Sequence, residues 1–136
     1  MRTTEKYLNE LEEYARKLGY VISKHDFNYI ISGKIECIEF GFGFDTCAIA
    51  RLVKDNPDYY KVQIGSSVEF DDELGVINIF NDVGSKIYYW SQANWYYLRT
   101  IWDLNKTKDL LYSNAKQYKI CTIKKNRWKV ENIFKE

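Results

Sequence analysis

Residues 87–104 constrain the fold more than any other stretch. They hold three of the chain's four tryptophans together with four tyrosines. Each large ring can bury roughly 150–250 Å². At about 25 cal/mol per Å² that is an upper bound of about 4–6 kcal/mol per ring, so the core is expected to gather here. Ser91 separates two patterns. Residues 86–90 are a short aromatic run that suits a strand. Beyond Ser91, a residue type that caps helices, Trp95, Leu98 and Trp102 recur at spacings of three and four, which predicts an aromatic helix over about residues 91–104. Its apolar side chains point more than one way, so it should be buried on more than one side. Tyr88, Tyr96 and Tyr97 are the candidates to face outward and anchor a partner protein, because exposed aromatics are enriched at interface hot spots.

An amphipathic helix is expected over residues 4–18, with Tyr7, Leu8, Leu11, Tyr14, Ala15 and Leu18 as its stripe. Thr3 or Thr4 is placed to cap it and Gly19 to end it with positive φ. Residues 27–31 and 34–40 look like a hairpin turning at Ser32-Gly33. A switch of apolar parity at Cys37-Ile38 suggests a bulge there. The run Phe40-Gly41-Phe42-Gly43-Phe44 puts rings on one face and bare backbone on the other, either a kink over a helix or the floor of a ligand groove. Residues 45–53 read as a central strand. Residues 60–70 alternate apolar and polar, which predicts one long half-buried strand. Residues 76–80 and 86–90 read as a hairpin. A break near Asn105 and a short helix capped by Thr107 should follow, with one longer helix from Ser91 to Ala115 as the alternative. Residues 118–123 and 128–134 then alternate around Lys124-Lys125-Asn126, which predicts a basic C-terminal hairpin.

Neighbouring strands joined by short turns make a mainly antiparallel sheet. The expected fold is therefore a single α+β domain over residues 1–136: a curved antiparallel sheet with the N-terminal and aromatic helices packed on it, and a C-terminal β-hairpin. The chain has 136 residues, 46% hydrophobic, enough to bury a core without staples.

Net charge is +1, which gives no global pull toward nucleic acid or membrane. The distribution is uneven. Residues 55–82 carry seven acids against Lys61, and residues 116–136 carry seven bases against Glu131 and Glu136. Cys37, Cys47 and Cys121 are odd in number and widely spaced, which predicts buried thiols in a reducing compartment. With no signal-peptide pattern and no apolar run of about 18 residues, the expected location is cytoplasmic, with no membrane partner.

Chemistry-bearing motifs are sparse. His25 is the only histidine, and it reads as a solvated turn residue. Asp71, Asp72 and Glu73, with Asp82 nearby, lack the order of a calcium loop. The expectation is therefore no catalytic residue, no cofactor and no metal. A short, aromatic-rich, motif-free chain of asymmetric charge resembles small accessory proteins of phages and plasmids, or immunity-type inhibitors, and that resemblance implies an inhibitor of a host nuclease or defence system. The expected function is a non-catalytic protein that docks on another macromolecule, most directly a protein. Its candidate contacts are the acidic turn Asp71, Asp72 and Glu73 and the tyrosines named above. The alternative is a nucleic-acid-associated protein contacting its target through Lys124, Lys125, Arg127 and Lys129 around Trp128.

Overall fold

The computed structural model describes residues 3–29, 31, 33–43 and 48–133. The element order is α1 (Thr3–Lys17), β1 (Val21–Tyr29), β2 (Gly33–Gly41), β3 (Ala50–Val53), β4 (Lys61–Ile64), β5 (Ser67–Asp71), β6 (Val76–Phe80), β7 (Asn94–Tyr97) and α2 (Ile101–Ile133). Strands β1-β2-β3-β4-β7 form an antiparallel five-stranded sheet in that order, and β5-β6 form a separate hairpin. The protein is α+β, as its sequence predicts.

One face of the large sheet carries the core. Ile38, Phe40, Ala50, Leu52, Val62 and Ile64 are buried there, with Leu11 and Ala15 from α1 and Leu104, Leu111 and Ala115 from α2 in the same cluster. Gly19 ends α1 with φ +95°, the left-handed conformation that glycine adopts without a Cβ clash. The Thr4 hydroxyl donates to Asp58 O at 2.7 Å. Tyr20 packs on Phe42 and donates to Leu111 O at 2.7 Å. The other side of Phe42 stacks on Tyr118 at 4.5 Å. Phe40 and Phe42 are therefore core rather than a groove floor; Phe44 lies outside the described residues. The β1-β2 register runs unbroken from Val21↔Gly41 to Tyr29↔Gly33. The expected bulge at Cys37-Ile38 is absent, and the parity switch reflects apolar side chains on both faces of one regular strand.

The aromatic helix over 91–104 is not formed. Residues 90–92 are a single 3₁₀ turn, and the chain then pairs with β4 as β7. Polar side chains hold this route. Gln92 Oε1 accepts the Tyr88 and Tyr89 N–H groups at 2.7 and 3.0 Å, and Asn94 reaches both Asp82 N and Ser66 Oγ. Asn-Trp-Tyr-Tyr also favours a strand, because aromatic residues pack well on a pleated surface. Consequently Trp95 and Trp102 are 58% and 82% exposed, and the core centres on β2, β3 and β4. The expected hairpin of 76–80 with 86–90 is replaced by β5-β6; only an isolated Phe80↔Lys86 bridge remains of it.

The predicted strand over 60–70 is split at Gly65-Ser66 into β4 and β5, which belong to different sheets. The predicted C-terminal hairpin is instead the second half of α2. Residues 101–133 contain neither glycine nor proline, so nothing breaks the helix. Leu104, Thr107, Leu111, Asn114, Ala115 and Cys121 supply one buried face at helical spacing. Neither the short helix capped by Thr107 nor the longer one from Ser91 to Ala115 is what forms: α2 has no break near Asn105, starts only at Ile101, holds Thr107 in its interior and runs on to Ile133.

Helix α2 covers the free edge of β5 with side chains. Gln117 Oε1 accepts from Val68 N at 2.7 Å, and Asn114 Nδ2 donates to Gly65 O at 2.9 Å. An exposed strand edge would leave those backbone groups unpaired. The helix starts at a reciprocal cap. Asp103 Oδ2 accepts from Arg99 N and Thr100 N, both at 2.9 Å, while Thr100 Oγ1 accepts from Asp103 N. Burial pushes the Asp103 carboxyl up, but these hydrogen bonds and the Arg99 charge outweigh it and hold it below its ordinary 3.8. A carboxyl depressed on folding adds stability that is complete above its unfolded value and is lost as pH falls through its folded one. Asp103→Ala is therefore expected to cost about 1 kcal/mol at pH 7. Its difference from wild type should shrink below about pH 4; urea titrations at the two pH values measure both.

Candidate functional site

Among the described residues neither α1 nor α2 contributes to the apolar cluster on the second, more open face of the five-stranded sheet, although the 3₁₀ turn of residues 90–92 reaches over part of it. That cluster of Ile35, Cys37, Val53 and Phe27 comes from β1, β2 and β3 alone. Pairing register lays the side chains out in rows, because directly opposed residues share a face. One row runs Ser23, Glu39, Arg51, Gln63, Trp95; the next runs His25, Cys37, Val53, Lys61, Tyr97; Phe27 and Ile35 begin a third.

Arg51 is the hub. Its Nε donates to Gln63 Oε1 at 2.5 Å, and its guanidinium lies 5.0 Å from the Trp90 ring and 5.5 Å from that of Phe27. Gln63 is buried and donates onward to Trp90 O at 3.1 Å, which ties the 3₁₀ turn to the sheet. Lys61 sits 4.8 Å over Trp95, and Trp95 meets Tyr97 edge-on at 5.9 Å. Charge is nearly balanced: His25 pairs with Glu39 at 3.2 Å and Lys61 with Asp55 at 3.8 Å. Beside Glu39 the face opens into a groove of about 340 Å³, walled by Ala48, Ile49, Ile79, Ile87 and the rings of Tyr88, Tyr89 and Trp90.

His25 is thus not a bare turn residue. It faces Cys37 across the β1-β2 pair, and the ligand atoms of His25, Cys37 and Glu39 lie within 4.8 Å of one another. Burial pushes the Cys37 thiol up to about 11, with Arg51 pulling it down and Glu39 pushing it further up. At neutral pH it is a buried thiol rather than the thiolate that acts as a nucleophile. Cys121 is likewise buried and free, whereas Cys47 lies outside the described residues.

The candidates from sequence are scattered. Tyr88 is exposed, and Tyr97 lies half-buried on the open face. Tyr96 points the other way, into the core. Its hydroxyl meets Thr107 Oγ1 at 2.8 Å, and since the Thr107 proton goes to Asp103 O, Tyr96 is the donor. Burial raises that phenol to about 12, and the ring packs against the main core cluster. In the acidic turn, Asp71 Oδ1 is occupied by Glu73 N and Leu74 N, while Asp72 and Glu73 are exposed. Trp128 covers Gly75 of this turn and donates to Asp72 O at 2.8 Å. That contact brings Lys124 and Arg127 alongside Asp72, so the acidic and basic segments are neighbours. Lys124, Lys125, Arg127 and Lys129 spread over about 200° of the helix circumference, at about 100° per residue, rather than forming one stripe.

Sequence reasoning missed Arg51, Gln63, Trp90 and Trp95 as one group. The sparse signal for it was the alternation of polar residues at Glu39, Arg51 and Gln63 within otherwise apolar strands. Among the described residues, no helix is long and apolar enough to cross a membrane. No protein-family model matches the chain, and no curated protein and no solved structure matches it.

Proposed function

We propose that the protein works by docking on another protein through the open face of its sheet. The observation that carries this reading is the Arg51 hub, held between the rings of Phe27 and Trp90, with the exposed Trp95 and its edge-on partner Tyr97 on the same sheet face. Tryptophan, tyrosine and arginine supply most hot-spot energy in protein interfaces. An arginine already held by Gln63 and two rings loses little freedom on binding. Near-neutral charge on the face argues for a folded protein over a polyanion. The nucleic-acid alternative rests on the α2 bases, and the nearness of Asp72 and Glu131 to Lys124 and Arg127 weakens it.

The test is affinity capture from the native host, repeated with variants of the full chain. A protein captured by wild type should bind at least about tenfold more weakly to Trp95→Ala and to Arg51→Ala, and unchanged to Tyr112→Ala on α2. Affinity that follows Asp72→Lys and Glu73→Lys instead would move the contact to the acidic turn. Retention on DNA or RNA that falls steeply with salt would favour the alternative.

A further inference from the structure

We propose that His25, Cys37 and Glu39 form a binding site for a zinc-type divalent transition-metal ion on the open sheet face. The three residues offer a nitrogen, a sulfur and an oxygen donor, the set that borderline dications such as zinc take. Register alone assembles them: His25 is directly opposite Cys37, and Glu39 is two residues further along β2 on the same face. They stand on a regular antiparallel pair, a more rigid platform than a loop.

The distances fit with small adjustments. Bonds of about 2.0–2.3 Å to N, O and S put tetrahedral ligands about 3.3–3.8 Å apart. His25 Nε2 and Glu39 Oε1 are already 3.2 Å apart, and no ligand pair exceeds 4.8 Å. Side-chain rotation of the half-exposed His25 and Glu39 can close the rest, with no change in strand register. Charge also closes: a thiolate, a carboxylate and a neutral imidazole balance a dication. The ion supplies what the residues alone lack, since a coordinating thiol gives up its proton outright. Three protein ligands leave the fourth tetrahedral position to water or to a donor from elsewhere. Arg51, beside Cys37, opposes the cation and lowers its affinity, while Gln63 and the Phe27 and Trp90 rings already hold the guanidinium. This inference does not depend on the docking reading.

The experiment is titration of the purified full chain with Co²⁺ and with Zn²⁺. The expected result is one equivalent of Co²⁺ bound with a sulfur-to-cobalt charge-transfer band and tetrahedral visible bands, displaced by Zn²⁺. The band should vanish in Cys37→Ser and persist in Cys121→Ser and Cys47→Ser. His25→Ala and Glu39→Gln should each weaken zinc binding by at least about 100-fold, the upper end of what even a supporting residue costs. Because Cys37 is buried, its variant needs a circular-dichroism check; if it fails to fold, the exposed His25→Ala decides alone. Absence of the charge-transfer band, its assignment to another cysteine, or zinc affinity unchanged by His25→Ala would each overturn the proposal.

Discussion

Replacing Phe40 by alanine is expected to lower the unfolding free energy by about 3–5 kcal/mol, the range for a buried phenylalanine. Phe40 has no exposed surface. It lies in the middle of the sheet between Ile22 on β1 and Ala50 on β3, and meets the Tyr20 ring edge-on at 6.5 Å. Helices cover it from one side and strands flank it on two, so the cavity left behind cannot close without moving the sheet. A domain of this size has about 5–15 kcal/mol to lose, so Phe40→Ala should shift the urea midpoint strongly. Trp102→Ala is the paired measurement. Trp102 is 82% exposed, and its removal should change stability by no more than about 0.5 kcal/mol. A large loss at Trp102 with a small one at Phe40 would restore the aromatic segment as the core and refute the architecture described above.

Gly65→Val should cost about 1–3 kcal/mol or more through overpacking. Gly65 is buried where the chain leaves the large sheet for the small one, and a Cβ there would come within 2.3 Å of Ile79 Cγ2. Its carbonyl accepts from Asn114, and its N–H donates to Ile49 O at 3.1 Å. A side chain must therefore push the β5-β6 hairpin away from the sheet while both backbone bonds pull it back. The expected signature is local: amide protection in β5, especially at Val68, should fall before that of β2 and β3. Adding Ile79→Ala to Gly65→Val should recover part of the loss although Ile79→Ala alone is destabilising, because the two residues share one space. Strict additivity of the two changes would show that they do not touch.

These two positions show where sequence patterns carry structural information and where they stop. Helix α1 was legible because its apolar residues recur at helical spacing and Gly19 marks its end. The β1-β2 hairpin was legible from its turn glycine. The strand at 60–64 was legible from alternation, but alternation does not say which sheet a strand joins, so Gly65 passed unnoticed as a junction. Residues 94–97 and 118–133 were misassigned for one shared reason: short apolar runs satisfy both a period of two and a period of 3.6. Gln92 and Asn94 settled the first case through bonds to distant backbone and side chains. In the second, the absence of glycine and proline lets the helix run on through residues whose alternation also fits a strand.

The open face shows the limit most clearly. Glu39, Arg51, Gln63 and Trp95 are far apart in the chain and become one row only through the pairing of β2, β3, β4 and β7. His25 looked solitary because its partners are twelve and fourteen residues away, brought beside it by the hairpin register.

By itself the sequence determined the α+β class, the N-terminal helix and the first hairpin, since each follows from local periodicity and turn chemistry. Tertiary structure alone decided that the tryptophan-rich segment lies at a sheet edge and that the basic tail is helical. It also decided that Arg51, Gln63, Trp90 and Trp95 meet on one sheet face. Those outcomes depend on which long-range partner satisfies a backbone group or covers a ring, and that choice is made between segments rather than within them.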